Sequence, residues 1–545
     1  MRRVFFQMSL LWLTGFIQNV QAQDMQGYYN VRDFGAVGDG ISRDTDAINA
    51  AIIAASRDGG GTVYFPAGIY ASFSVELKSQ VDVHLANGAT LLAATPQDES
   101  EGYLKPEANI WGEKYKYQDF GHSHFRNSLL WGENIHDVTI SGSGLIDGKG
   151  LWKGLYPPLG PAPSANPGNK TIAIKGGRNI TFRDFSIYRG GHFGILATAI
   201  NNLTIDNLRI DTNRDGIDID VCKNVRISNV VVNSPNDDAI VLKSSYVTGK
   251  AIATENVTIS NSIVSGYAMG TMLDGTYQPM KGTAPDGDGA TGRIKLGTES
   301  NGGFKRITIT NVVFDHSRGL ALETVDGGII EDVVASGLVM NRVSNSPIFI
   351  YNGARMRGPE NTPPGAIRRV LIKDVTVSHA DGRFPVIIQG LPESPVSQVT
   401  LKDMYLIAGG GLTQEDVLTQ KPDHVSAFFA LKEKEPRHSP FDVPERRAAY
   451  PEPAMFGLLP ASGLYMRYAQ DITLENINLQ LEAPDTRSVL VFDSVNDITL
   501  RNMTLPGRAQ KDQITVIESR DIRLSSHGQK PETLSADKAT GFSGF

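Results

Sequence analysis

Cysteine is nearly missing from this chain: of 545 residues only Cys222 is one, so no intrachain disulfide can form and packing must supply the stability. A thiol inside a repeating strand segment reads as a small buried hydrophobe, not a nucleophile. An excess of positive charge is missing too. With 52 Lys and Arg against 59 Asp and Glu the formal charge is −7, which argues against nucleic acid as a partner, because phosphate binding wants a basic stripe. An anionic sugar polymer stays open, since it needs local Lys and Arg only. Beyond residue 22 no apolar run is long enough to cross a bilayer, and no Cys follows closely enough to carry a lipid anchor. The N-terminus has Met1-Arg2-Arg3, apolar Val4-Phe5-Phe6 and Leu10-Leu11-Trp12-Leu13, then Val20-Gln21-Ala22, which is the charged, apolar and small-residue order of a secretory signal. Cleavage after Ala22 is expected. The product would be an exported (periplasmic or extracellular) monomer without a membrane anchor.

Room for helices between strands is also lacking. Short β-type triplets recur at Ile180-Thr181-Phe182, Leu203-Thr204-Ile205, Val225-Arg226-Ile227, Val257-Thr258-Ile259, Ile307-Thr308-Ile309, Ile472-Thr473-Leu474 and Ile498-Thr499-Leu500. Phe182 to Ile205 is 23 residues and Ile205 to Ile227 is 22, the period of one solenoid coil. Each triplet puts apolar residues inward and a polar one outward. Asn207, Asn229, Asn261 and Asn311 each follow a triplet by two positions. Asn tolerates the left-handed backbone of a sharp turn and can bond its own kind as a ladder. A period this short leaves no space for the crossover helix of a doubly wound sheet. The expected fold is therefore all-β, a single-stranded right-handed parallel β-helix. Asp44 to Ala55 reads as a capped amphipathic helix covering the first coil. The expected organisation is a signal at 1–22, the cap and first coils at 23–125, the β-helix at 126–525 and a tail at 526–545. Near 265–292 and 409–466 the spacing breaks into stretches rich in Gly, Pro and charge, expected to project as loops.

Asn213-Arg214-Asp215-Gly216-Ile217-Asp218 lies on one coil and Asn236-Asp237-Asp238-Ala239-Ile240 on the next. Asp215 and Asp237 are 22 residues apart and should stack at about 4.8 Å, the spacing of adjacent strands. Like charges so close resist ionising together, so one carboxyl keeps its proton. Glycoside hydrolysis needs such a set, an acid for the leaving oxygen and a base for water. Asp is also common at solenoid bends, where it caps turn amides; Asp218 is assigned to that role, and Asp215, Asp237 and Asp238 to catalysis. The same three carboxylates could serve a polysaccharide lyase as Ca²⁺ ligands. A non-catalytic carbohydrate-binding or adhesion solenoid would need no such cluster.

These segments, together with the opening Val31-Arg32-Asp33-Phe34-Gly35-Ala36-Val37-Gly38-Asp39-Gly40, resemble glycoside hydrolase family 28, the polygalacturonase-like enzymes of pectin-lyase-like fold. The resemblance implies hydrolysis of an acidic plant-wall polysaccharide (galacturonan or rhamnogalacturonan) with inversion and without cofactor or metal. It makes Asp237 the general acid, with Asp215 and Asp238 holding the attacking water. The family's Gly-His-Gly segment falls near Ser265-Gly266-Tyr267-Ala268-Met269-Gly270-Thr271, where no His stands and the stretch looks more like rhamnogalacturonan hydrolases; Tyr267 is assigned to substrate binding. The family's Arg-Ile-Lys aligns with Ala321-Leu322-Glu323, while Arg293-Ile294-Lys295 stands about one coil earlier. Alternation puts Arg293 and Lys295 on one face, suited to a uronate carboxylate. Glu323 would repel an anion, so a neutral sugar is expected beside it. His192, one coil before Asp215, is a further candidate for the cleft. Lys243 is expected to pair with a carboxylate or meet substrate. Tyr450-Pro451-Glu452-Pro453, with Gly463 to Arg467 after it, is expected to close one end of the groove.

Overall fold

Apolar and polar residues alternate in each triplet, so successive coils drop their inward side chains into continuous files. The computed structural model describes residues 27–115, 122–152, 166–420, 437–506, 513–526 and 531–543. The signal-like segment and residues 421–436 of the second projecting stretch lie outside the described residues. Ile180, Leu203, Val225, Val257 and Ile307 are register partners on successive strands. The same file runs from Val138 to Ile522. Every member is buried. The strands stack parallel from Tyr28–Asn30 to Ser519–Ser525, which is the expected β-helix.

The turn asparagines adopt the left-handed backbone expected of them, with φ between 52° and 58° at Asn207, Asn229, Asn261 and Asn311. Their ladder is mixed. The Asn311 amide donates to Asn261 at 3.3 Å, but Asn207 and Asn229 donate to Asp184 and Asp206 at 3.0 and 2.8 Å. A second amide ladder, absent from the triplet pattern, runs up another bend: Asn202 donates to Asn179 at 2.8 Å and Asn256 to Asn224 at 2.9 Å. Cys222 is buried, and burial pushes its thiol up to about 12, as befits a core residue.

The helix Thr45–Arg57 buries Ile48, Ala51, Ile52 and Ala55 against the first coil, so the lid is where the sequence puts it. Its cap differs. The Asp44 side chain makes no bond to the helix and instead accepts from the Val37 and Gly38 amides at 2.7 and 3.1 Å. At the other end, Glu532–Ala536 and Thr540–Phe542 fold back antiparallel on Ser519–Ser525 and Ile514–Ile517. The expected tail is thus a second cap. The projecting stretches leave the coils between Ser265 and Ile294 and between Gly410 and Ala461. Gly463 to Arg467, expected as part of the second loop, belongs to the coil strand Ala461–Arg467 paired with Val386–Gln389. Among the described residues, no helix is long and apolar enough to cross a membrane.

Phe182, Ile205, Ile227 and Ile259 form a second inward file. Ile205→Asp would place a carboxylate with no partner inside it, and is expected to lower stability by at least about 4 kcal/mol. A thermal or denaturant melt matching the native chain would refute this alignment.

Candidate active site

Asp211 pairs with Asn233, a step of 22 residues, but Ile217 pairs with Ile240, a step of 23. The extra residue lies in the Ser234-Pro235 turn, because the Asn236 amide nitrogens already bond Asn213, at 3.2 Å from the backbone and 2.7 Å from the side chain. The stacking of Asp215 on Asp237 expected from a uniform 22-residue coil is therefore corrected. Asp215 stacks on Asp238, and Asp237 stacks on Arg214, with which it forms an ion pair. The three carboxylates still converge, with one oxygen of each within 4.8 Å of the others. The Asp238 amide ties them, donating to Asp215 at 3.2 Å and to Asp237 at 3.1 Å. Gly216 lets the two coils pack closely here: a side chain on it would strike Val232 and the Ala239 carbonyl.

The three environments differ. Asp215 and Asp238 are buried, whereas the Asp237 side chain is 22% exposed. Burial, with the neighbouring charges of Asp218 and Asp237, raises the Asp215 carboxyl well above the ordinary carboxylate range. Asp238 is pushed up by burial as well, but Lys295 and Arg293 overcome that and hold it well below the range. Arg293 Nε donates to Asp238 at 2.7 Å and Lys295 Nζ lies 2.9 Å from its other oxygen. Arg293 and Lys295 thus share a face, as the alternation requires, and in this state both are buried and turned on Asp238.

Asp218 does not cap a turn. It lies in the middle of Asp215–Asp220, fully buried, 2.8 Å from His122 Nε2 and 3.6 Å from Lys243. Lys243 also lies 3.4 Å from Glu299, so of its two expected roles it takes the pairing with carboxylates. His122 stacks on Phe193, the register partner of Asp215, with ring centroids 4.8 Å apart. His192 is buried one residue earlier, its ring centroid 4.3 Å from that of Phe193. The residue stacked on Asp215 is Phe193, so His192 stands one position off the register expected of it. Tyr267 belongs to a different group. Its hydroxyl lies between Asp315 at 2.5 Å and Arg342 at 2.6 Å, and its ring stacks on His316.

The second projecting stretch covers the outer face just past Arg293 and Lys295. Val443, Met455 and Phe456 pack on Ala321, Phe349 and Tyr351, so Glu323 is fully buried and does not front a sugar. Neither Glu323 oxygen has a hydrogen-bond partner; burial pushes this carboxyl up to about 8 against the pull of Lys295 and Arg293. Tyr450 stays 43% exposed, with its hydroxyl 3.4 Å from Lys295 Nζ. Glu452, buried beside it, takes both Nη nitrogens of Arg293. The triad oxygens could hold a hard cation by distance alone. Yet Arg214, Arg293 and Lys295 already bring three positive charges to the three carboxylates, which leaves little net charge to attract one.

Residues 28–130 match the rhamnogalacturonase A/epimerase, pectate lyase-like family model, and residues 164–277 match the model of the right-handed beta helix region. A probable polygalacturonase of Vitis vinifera is 26% identical over 325 residues, 56% of this chain and 60% of the relative. A mannuronan C5-epimerase of Azotobacter vinelandii is 71% identical over 42 residues only, 8% of this chain and 3% of the relative. The chain thus spans less than two thirds of these curated relatives. Among solved structures, the Yersinia enterocolitica family 28 exopolygalacturonase superposes with a TM-score of 0.56 at 16% identity, covering 91% of this chain and 78% of that one. A tailspike protein of E. coli bacteriophage HK620 gives 0.52 at 10% identity, covering 92% and 76%. At these identities the structures report the fold. The curated relative and the first family model are consistent with the family 28 resemblance, the model over residues 28–130 only.

The raised Asp215 carboxyl fixes a sign. As pH climbs through the ordinary carboxylate range, the unfolded chain loses this proton and the folded chain keeps it, so folded stability falls with rising pH. Asp215→Asn retains an acceptor for the Asp238 amide and removes that dependence. It is expected to be more stable than the native chain by roughly 0.5–2 kcal/mol at pH 8 and equal to it near pH 3. Parallel melts across pH measure this; equal melts at pH 8 would contradict it.

Proposed function

We propose that this chain is a glycoside hydrolase of pectic polysaccharide that works from a chain end. The observation that carries the reading is the convergence of three carboxylates, one ionised beside Arg293 and Lys295, one buried and proton-rich, and one open to the groove. Asp237, the exposed member, takes the general-acid role and delivers a proton to the leaving glycosidic oxygen, and water held between Asp215 and Asp238 attacks the opposite face of the sugar while giving up its proton to the ionised Asp238. A single displacement of this kind inverts the anomeric centre. The likeness to the Vitis vinifera probable polygalacturonase and the Yersinia enterocolitica exopolygalacturonase supports galacturonan as the substrate class. Tyr450 offers an exposed ring for a sugar, beside the Lys295 ammonium that suits a uronate carboxylate. The loop packed over Ala321 and Phe349 ends the groove within a coil or so of that site, which favours exo action. Export, expected from the N-terminal segment, would bring the enzyme to its polymer.

Asp237→Asn is expected to lower kcat by about 10²-fold or more, the usual loss with a general acid, while oligosaccharide binding survives. Full activity in that variant would remove Asp237 from its role. Chelator should leave native activity intact and products should lack the absorbance of an unsaturated uronate. Chelator-sensitive turnover with an absorbing product would establish the lyase alternative, and the absence of any turnover would favour a binding solenoid. Lys295→Met is expected to cut kcat/KM on uronate substrates by roughly 2–4 kcal/mol, felt in kcat as well as KM because the ammonium also holds Asp238. Equal kinetics on every acidic oligosaccharide would place Lys295 outside the reaction.

A further inference from the structure

A file of alternating buried charge runs from Asp238 into both projecting loops. Arg293 donates through Nε to Asp238 at 2.7 Å and through both Nη nitrogens to Glu452. Glu452 is met from its other side by Arg318 Nη1 at 3.1 Å. Arg318 in turn grips Asp286 at 2.7 and 2.8 Å and the Gly289 carbonyl at 3.1 Å. Asp238, Arg293, Glu452 and Arg318 are each at most 3% exposed. A guanidinium is planar and presents its strongest, two-nitrogen edge to a carboxylate when it can. Here that edge is on Glu452, and Asp238 receives the single Nε bond only. This leaves the second Asp238 oxygen to Lys295 at 2.9 Å.

We infer that Glu452 is a positioning residue: it occupies the bidentate edge of Arg293 and so keeps Asp238 oriented for the attacking water, with Arg318 and Asp286 anchoring it. Without that carboxylate, Arg293 would swing its fork onto Asp238, cover both oxygens and displace Lys295. The inference rests on the hydrolase reading above and adds the second loop to the working parts of the site.

The test is Glu452→Gln beside Glu452→Asp in the full chain, with an oligogalacturonide as substrate. Glu452→Gln should lose about 10- to 100-fold in kcat, the scale of an ångström-sized misplacement, with KM within about threefold of native. Its kcat should also show an alkaline limb moved to lower pH, because a negative charge beside the carboxylates is gone. Glu452→Asp, which keeps the carboxylate, should recover most of the loss. Native kcat and pH profile in Glu452→Gln, measured below its melting temperature, would overturn the inference and leave Glu452 as a structural ion pair. A native chain that turns over no pectic oligosaccharide would fail the hydrolase reading instead. The crystal structure of Glu452→Gln then decides separately: Arg293 bidentate on Asp238 supports positioning, and an unmoved single Nε bond overturns it.

Discussion

Everything here depends on parallel register between coils. Each strand is hydrogen-bonded to the same face of the strand one turn below, so a residue's position around the coil fixes which side chains it can ever meet. The inward file from Val138 to Ile522 needs that register to be held over the whole stack, because a one-residue slip would turn it outward. The same constraint builds the site. One extra residue in the Ser234-Pro235 turn advances the upper coil, seats Asp237 on Arg214 and delivers Asp238 to Asp215 and to the Arg293 strand.

Within that frame the site is organised by charge compensation at short range. Carboxylates stacked a few ångströms apart in a buried place are costly unless cations or protons answer them. Two cations settle Asp238 as an anion, Arg214 answers Asp237, and no ion pair or cationic hydrogen bond reaches Asp215 among the described residues. Glu323 repeats the logic one coil on. Crowded by Asp238 and Glu452 and given no donor, it is the carboxyl that can stay neutral while its neighbours stay charged.

The coil period, the triplets, the lid helix and the convergence of three carboxylates were legible because each lives in a local pattern or a short sequence interval. Arg293 and Lys295 were legible as a pair on one face for the same reason. What sequence spacing could not reveal were contacts made by segments outside the coil rhythm. His122 reaches Asp218 across 96 residues and Glu452 reaches Arg293 across 159, and no periodicity marks either. The Arg214–Asp237 pair was within reach, since aligning Asn213 with Asn236 gives the 23-residue step. A single averaged period hid it. Asp44 reads as a helix cap by residue type, yet the Val37 and Gly38 amides compete for the same oxygens and win.

The antiparallel strands at the C-terminal end carry a consequence for how the molecule behaves in company. A parallel stack is its own template: the last coil offers an unpaired edge whose natural complement is the first coil of another copy, and such head-to-tail addition has no built-in stop. Reversal of chain direction at Glu532–Ala536 and Thr540–Phe542 replaces that edge with one of the wrong polarity and pattern, while the helix Thr45–Arg57 seals the opposite end. A second copy approaching head to tail would therefore meet strands of reversed direction at one pole and a helix at the other, not the bare parallel edge that a coil would extend.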